Sequence, residues 1–317
     1  METREKKLIA RYKKIYSIPA EVNITRQMIL YHWQLERQLT AELLQSAPGE
    51  RWGVFDRCYT RLYDELDWLN KFSGDADTAP PAERFARWLQ LVGPPPKSVY
   101  EIGSGHGDLI VFLARNGHHC KGSEITGKRG EALVADAHPN LSWGRSDGVH
   151  LGTFEPAGTY DAVVSDQVIE HLHPDDLDCH LRGVHSILKK GGRYVFNTPN
   201  RYTGPHDVSR VFKIAEPQGM HLKEYTNREL AEAVRRAGFV SVHCGFVPRR
   251  FRVLVTILGA GNFADSDKLG FFFLRIESSV EKILGLLPAS ALRRWCGTLL
   301  CKLGLFSDNV ALVAQKG

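Results

Sequence analysis

The chain has 317 residues, 43% hydrophobic and 24% charged, with a formal net charge of +5; it is long enough for one full α/β domain with added elements or two domains at most, and too weakly basic to imply a nucleic-acid partner. Six cysteines without metal-type pairs or framework spacing favour reduced thiols, and the first seven residues lack the apolar core of a signal peptide, so a soluble, cytoplasmic chain is expected. The longest uncharged run, 253–264, is about half of the roughly 20 residues needed to cross a bilayer.

Residues 1–45 place Leu8, Tyr12 and Ile15, then Met28, Tyr31 and Leu35, at helical spacing among basic residues, which predicts two amphipathic helices broken near Pro19. A further helical piece over 57–70 carries Tyr59, Tyr63 and Trp68, 73–81 is a loop, and 82–92 is a helix. These first 92 residues either pack on the core or dimerise, or form a cap over an acceptor pocket. After the Gly93-Pro94-Pro95-Pro96 breaker, 98–102 predicts a strand, three alternating glycines predict a tight turn, and 108–116 predicts a helix closed by Gly117. Strands are predicted again at 120–125, 140–147, 160–166, within 188–200 and at 240–247, with helices at 128–137, 175–188 and 227–237. Such alternation implies right-handed crossovers and a mainly parallel sheet whose ligands bind at the carboxyl ends of the strands.

The glycine turn decides the class of ligand. A dinucleotide fingerprint, G-x-G-x-x-G, counted from Gly103 would end on Asp108, but the third glycine comes one place early, at Gly107. An anionic side chain there repels a pyrophosphate seated on the helix N-terminus, and Glu101 ahead of the first glycine suits a cationic or amine-bearing ligand. Glu124, about 20 residues on, ends the second strand where Rossmann-type folds place a carboxylate on ribose hydroxyls. The Glu101-x-Gly103-Ser104-Gly105-x-Gly107 pattern resembles the first motif of class I S-adenosylmethionine-dependent methyltransferases, and the resemblance covers roughly 95–247 plus the last eight residues.

That resemblance implies a doubly wound α/β fold: seven strands, mainly parallel, with an antiparallel last strand at the chain's end. It divides the chain into an N-terminal helical cap (1–92), an S-adenosylmethionine-binding core (93–247), a helical insertion or lid (248–308) and the last core strand (309–317). Glu101, Gly103, Ser104, Gly105 and Gly107 would hold the methionine part, Glu124 the ribose, and Ser146 and Asp147 the adenine, while Asp166 and Gln167 line the methyl-transfer face. In the insertion, apolar residues recur at helical spacing beside Arg275, Lys282, Arg293, Arg294 and Lys302. They form either an amphipathic helical pair on the core or an apolar lid or membrane-surface contact.

Methyl transfer from a sulfonium is an in-line displacement that needs alignment and exclusion of water rather than a covalent enzyme intermediate. An oxygen acceptor must also lose a proton, and histidine is the natural base near neutral pH. His171, His206 and His221 fall in suitable loops, whereas His173, His180 and His185 are expected at the surface. The expected activity is O-methylation of a small-molecule hydroxyl, with no metal and no nucleic acid. A second reading makes Glu170, His171 and His221 ligands of a divalent cation. The same residues are similar to those of small-RNA 2′-O-methyltransferases, although Gln167 stands where that pattern has its first Glu, and also to those of ubiquinone-type O-methyltransferases. A metal-dependent RNA 2′-O-methyltransferase is therefore the alternative.

Overall fold

The computed structural model describes residues 2–72, 79–135, 138–257 and 267–317. Its sheet is built from β1 (Ser98–Ile102), β2 (His119–Glu124), β3 (Leu141–Arg145), β4 (Tyr160–Asp166), β5 (Leu188–Pro199), β6 (Ser241–Cys244) and β7 (Asn309–Gln315). The order is β3-β2-β1-β4-β5-β7-β6. Strands β1 to β5 pair in parallel, and β7 runs antiparallel between β5 and β6. The fold class expected from the sequence is the one found.

Alternation along the strands explains why the sheet is covered on both faces. On β4, Ala162 and Val164 join one apolar cluster and Val163 joins another; on β5, Val195 opposes Tyr194 and Phe196 in the same way. The first cluster takes Trp88 from α6 (Ala86–Val92), which follows the single turn α5 (Pro81–Arg84), and Ile110 and Leu113 from α7 (Asp108–Arg115). The second takes Leu181 and Val184 from α8 (Leu177–Ile187) and Leu230 and Val234 from α9 (Asn227–Arg236). A capping box starts α9: the Thr226 hydroxyl accepts the Glu229 N–H, and the Glu229 carboxylate accepts the Thr226 N–H.

Before β7 the chain inserts α10 (Arg249–Ile257), α11 (Asp267–Gly285) and α12 (Ser290–Leu303). Helix α11 buries two carboxylates. Glu281 accepts the N–H groups of Asn227 (2.7 Å) and Arg228 (3.0 Å) at the start of α9, where the helix dipole favours negative charge. Glu277 accepts the Ser307 N–H at 2.8 Å.

At the other end of the chain, α1 (Glu2–Ile15), α2 (Arg26–Gln45), α3 (Arg51–Glu65) and α4 (Asp67–Asn70) form a separate apolar cluster with Val208, Val211 and Met220 from the β5–α9 connection. These helices are tied down by polar bonds as well: Arg11 donates to the Val211 carbonyl at 2.7 Å, and Arg51 pairs with Asp176.

Several local expectations are corrected. The helical piece expected over 57–70 begins at Arg51 and breaks at Leu66. The strand expected over 240–247 is only Ser241–Cys244. In place of a helix over 128–137 there is one 3-10 turn, Gly130–Leu133, while residues 136 and 137 lie outside the described residues. Gly130 sits at φ +63°, where a Cβ would come within 3.1 Å of Glu124 Cγ, and its N–H donates to the Gly105 carbonyl at 2.8 Å. That tie to the glycine turn prevails over helical propensity. His173 and His180 are buried rather than exposed, and His185 is half-buried. His180 bridges the Gly148 carbonyl (2.5 Å) and the Tyr194 hydroxyl (2.9 Å), which makes it a core tie beneath the site.

Candidate active site

A cavity of about 530 Å³ opens at the carboxyl ends of β1, β2, β3 and β4, where the strand order reverses between β1 and β4. Its floor is the turn after β1. Gly103 is at φ +68°, and a Cβ there would lie 2.7 Å from Val168 Cγ2. Both Gly103 and Ser104 donate their N–H groups to the Ser123 carbonyl, at 2.9 and 3.1 Å, which pins the turn to β2. Gly105, at φ +60°, donates to Glu124 Oε1 at 2.5 Å, and the space before its Cα is open. The Glu124 carboxyl is pushed up to about 7 by burial, against the pull of Gly105 and Arg129.

The side walls follow from the next strand ends. Ser146 donates its N–H to the Glu124 carbonyl at 3.1 Å. Asp147 turns back on its own loop, accepting the Val149 and His150 N–H groups at 2.8 Å on Oδ1 and the His150 ring at 2.6 Å on Oδ2. Asp166 accepts Asn197 Nδ2 at 2.8 Å. Gln167 is one of the few described non-glycine residues with positive φ, at +57°, and its N–H is held by the Asn197 carbonyl.

Three histidines also line the cavity, His171 in the turn after β4 and His206 and His221 in the β5–α9 connection. His171 Nδ1 faces the Met220 carbonyl at 2.9 Å. A carbonyl only accepts, so Nδ1 carries the hydrogen and Nε2 keeps its lone pair. Burial, followed by the neighbouring His221 charge, drives the His171 ring down to about 3. His221 lies edge-to-face with it, ring centroids 4.9 Å apart. Burial works against its charge, but the bond from Nδ1 to Glu224 (2.9 Å) and the nearby Glu170 carry it up to about 9. His206 donates its backbone N–H to the other side of the problem, the Glu224 carboxylate, at 2.7 Å. Burial would raise Glu224, yet the bonds from His206 and His221 hold it down near 2.

Behind the histidines lies Glu170, fully buried, with Oε2 accepting the Thr198 hydroxyl at 2.8 Å and Oε1 without a hydrogen-bond partner. Burial pushes this carboxyl up to about 7. One ligand atom from each of Glu170, His171 and His221 lies within 4.8 Å of the others.

Of the residues singled out in the sequence, Gly103, Gly105, Glu124, Ser146, Asp147, Asp166, Gln167, His171, His206 and His221 all line this one cavity. Glu101, Ser104 and Gly107 do not; Glu101 lies on β1, with Oε2 buried and without a hydrogen-bond partner. Tyr16, Glu36, Phe55, Tyr59 and Tyr63, from the first 92 residues, also line the cavity, and none of them was singled out as a site residue in the sequence. Asp207 was also missed, although it follows His206 directly; its carboxylate accepts the N–H groups of Gln218 (3.1 Å) and Gly219 (2.6 Å) and sets the loop that carries His221.

The family model described as "Methyltransferase domain" matches residues 78–244, more than half of the chain. The chain belongs to that family. By that match it is a methyltransferase. No curated protein matches it. Solved structures similar to this methyltransferase include phosphoethanolamine N-methyltransferase 2 of Haemonchus contortus with phosphomonomethylethanolamine and S-adenosylhomocysteine, at 18% identity and TM-score 0.46 over 74% of this chain and 52% of that one. The chain thus spans about half the length of the Haemonchus enzyme. A methyltransferase from Archaeoglobus fulgidus matches at 16% identity and TM-score 0.48, over 81% of this chain and 99% of that one. The 1,6-didemethyltoxoflavin-N1-methyltransferase of Burkholderia thailandensis matches at 21% and 0.46, over 62% and 82%.

The residues present fit the methyl donor. The floor of the methyltransferase cavity offers carboxylates and backbone groups, and Glu101 on β1 keeps one buried oxygen, Oε2, without a hydrogen-bond partner. Arg129, which also lines the cavity, lies over the Tyr63 ring at 4.5 Å and beside the Glu124 carboxylate, its Nε buried without a hydrogen-bond partner. That donor set suits a sulfonium with an amino group and a ribose, and lacks the phosphate cradle of a dinucleotide site.

Proposed function

We propose that this methyltransferase transfers the methyl group of S-adenosylmethionine to a hydroxyl of a small molecule held between the glycine turn and the histidine wall. The observation that carries this reading is His171: a neutral imidazole that lines a cavity shared with the cofactor residues, its Nδ1 fixed on Met220 and its Nε2 3.9 Å from Glu170 Oε1. Glu124 takes the ribose hydroxyls, Ser146 and Asp147 the adenine edge, and Gly103 and Gly105 the methionine part, with Glu101 supporting the turn from β1. Asp166 and Gln167 line the path of the methyl group. The acceptor O–H becomes acidic only as the new C–O bond forms, so a weak base that is always unprotonated at neutral pH serves as a late proton acceptor. Residues 1–92 act as a cap: Tyr59 and Tyr63 supply an apolar, water-excluding wall.

The test is methylation of matched acceptors that carry a hydroxyl, an amine or a carboxylate at the same place, followed by mass spectrometry. The hydroxyl compounds gain the methyl, and His171→Ala lowers their turnover about 10²–10⁴-fold. Transfer to the amine alone, or normal turnover without His171, overturns the reading.

A second reading is favoured by the meeting of Glu170, His171 and His221. Both imidazoles have Nδ1 anchored, on Met220 and on Glu224, an arrangement that also orients metal-ligating histidines. A divalent cation bound there would polarise the acceptor hydroxyl. Under the primary reading, activity survives a chelator; a loss restored by Mg²⁺ or Mn²⁺ would make the second reading the correct one. The RNA acceptor gains no support from the family match or from the fold.

A further inference from the structure

The insertion carries many exposed apolar residues, and on α12 they share one face. Helix α12 touches the core through Gly297, where a Cβ would lie only 2.5 Å from the Tyr202 carbonyl oxygen. At 3.6 residues per turn, Leu292, Trp295, Leu299 and Leu303 fall on the opposite face. Their exposures are 42, 64, 42 and 57%. The end of α11 adds Ile283 at 65% and Leu286 at 83%. Isolated exposed apolar residues need no account, but five on two successive helices, with Leu286 just past the first, form a surface.

The charge around them has one sign. Residues 267–303 contain six bases, Lys268, Arg275, Lys282, Arg293, Arg294 and Lys302, and three acids, Asp267, Glu277 and Glu281. Glu277 and Glu281 are buried in internal bonds, so Asp267 is the acid this stretch presents to solvent. A second copy of the chain would set bases against bases. Among the described residues no helix is long and apolar enough to cross a membrane, so a lipid contact lies in the plane of the surface.

We propose that the α11–α12 face docks on a bilayer rich in anionic lipid, with the apolar stripe entering the headgroup boundary and Arg275, Lys282 and Lys302 meeting lipid phosphates. Trp295 lies in the stripe, at the depth where an indole is favoured. The docked helix also borders the chemistry. Thr298, Cys301 and Lys302 line a cavity of about 550 Å³ together with His206, and His206 lines the active-site cavity as well. The docking stands independently of which acceptor is methylated.

The test is co-sedimentation of the full chain with phosphatidylcholine vesicles, with and without about 40% phosphatidylglycerol, at low and high salt. Binding is expected on the anionic vesicles only and is weakened by salt. Trp295→Glu with Leu299→Glu is expected to abolish it, and Lys282→Glu or Arg275→Glu to lower it about five-fold each or more. None of these residues is in the cofactor site, so S-adenosylmethionine affinity by calorimetry reports that each variant is folded. Equal binding to neutral vesicles, no binding to anionic ones, or binding unaffected by both sets of substitutions would overturn the proposal. So would a dimer in solution that Leu299→Glu dissolves, since it would assign the stripe to a second copy.

Discussion

Glu36, on the second helix of the N-terminal cap, accepts the Met220 N–H at 3.2 Å, and the Met220 carbonyl in turn faces His171 Nδ1 at 2.9 Å. The cap therefore takes part in fixing the tautomer of a histidine that belongs to the core. His32 supports Glu36 from the same helix at 2.7 Å, and Thr40 donates to the Gly219 carbonyl one residue away. Burial alone would raise the Glu36 carboxyl, but His32 and the Met220 N–H hold it below its ordinary range.

Glu36→Ala leaves the Met220 N–H and the His32 ring without their acceptor. The cost expected for a buried charge-assisted bond is about 1.5–3 kcal/mol of stability. Turnover is expected to fall at least ten-fold while S-adenosylmethionine affinity stays within about two-fold, because the glycine turn is untouched. Calorimetric titration beside steady-state kinetics separates the two; an equal loss in both would mean that the cap supports the whole fold rather than the histidine wall.

Glu124→Ala probes the other half. The side chain both holds Gly105 and lines the cavity, so its removal is expected to weaken cofactor binding by about 1.5–3 kcal/mol, roughly ten- to a hundred-fold in Kd. Glu124→Gln keeps one acceptor and is expected to lose less. Unchanged affinity for Ala by calorimetry would remove Glu124 from the site.

These two residues mark how far the sequence could be read. Glu124 was visible because a strand end, a glycine turn and a 20-residue interval are local features with a fixed meaning in a parallel sheet. The three histidines were visible as candidates because each stands in a loop after a core strand. Glu36 was not. It lies on an amphipathic helix 184 residues from Met220, and a carboxylate at such a position reads as solvated surface until the tertiary contact is known. Gly130 misled for a similar reason: the stretch around it has helical composition, but its N–H is committed to Gly105. His180 misled because a histidine on a helix gives no sign in sequence of the carbonyl and hydroxyl that bury it.

Glu277 offers a stability prediction. Burial, together with the nearby Glu281, pushes its carboxyl up to about 8, above an unfolded value near 4.5. The folded chain then holds a proton that the unfolded chain releases. Stability is therefore undiminished below about 4.5, declines as pH rises from there to about 8, and is flat beyond. Glu277→Gln is expected to remove that decline and to raise Tm at pH 8 by a few degrees, at ~2–4 °C per kcal/mol. Thermal melts from pH 5 to 9 check it; parallel curves for the two proteins would show that Glu277 is ionised throughout.

At the histidine wall, three coupled groups set the pH range of activity. His221 is raised to about 9, so the stabilisation it gains from Glu224 and Glu170 is complete below about 6.5 and lost as pH passes through 9. Glu224 is depressed to about 2, so its share is complete above about 4.5 and lost only as pH falls through 2. Glu170, raised to about 7, becomes charged in the middle of that range and then faces the His221 cation. Turnover is expected to rise through about pH 7 and to fall beyond about 9. Glu170→Gln should flatten the acid limb, and His221→Gln the alkaline limb, with the opposite limb retained in each case. His171 stays a neutral imidazole throughout this window, so His171→Asn lowers the plateau without moving either limb. A profile in which His171→Asn displaces the acid limb would instead identify His171 as the titrating group, and the low basicity assigned to it would be wrong.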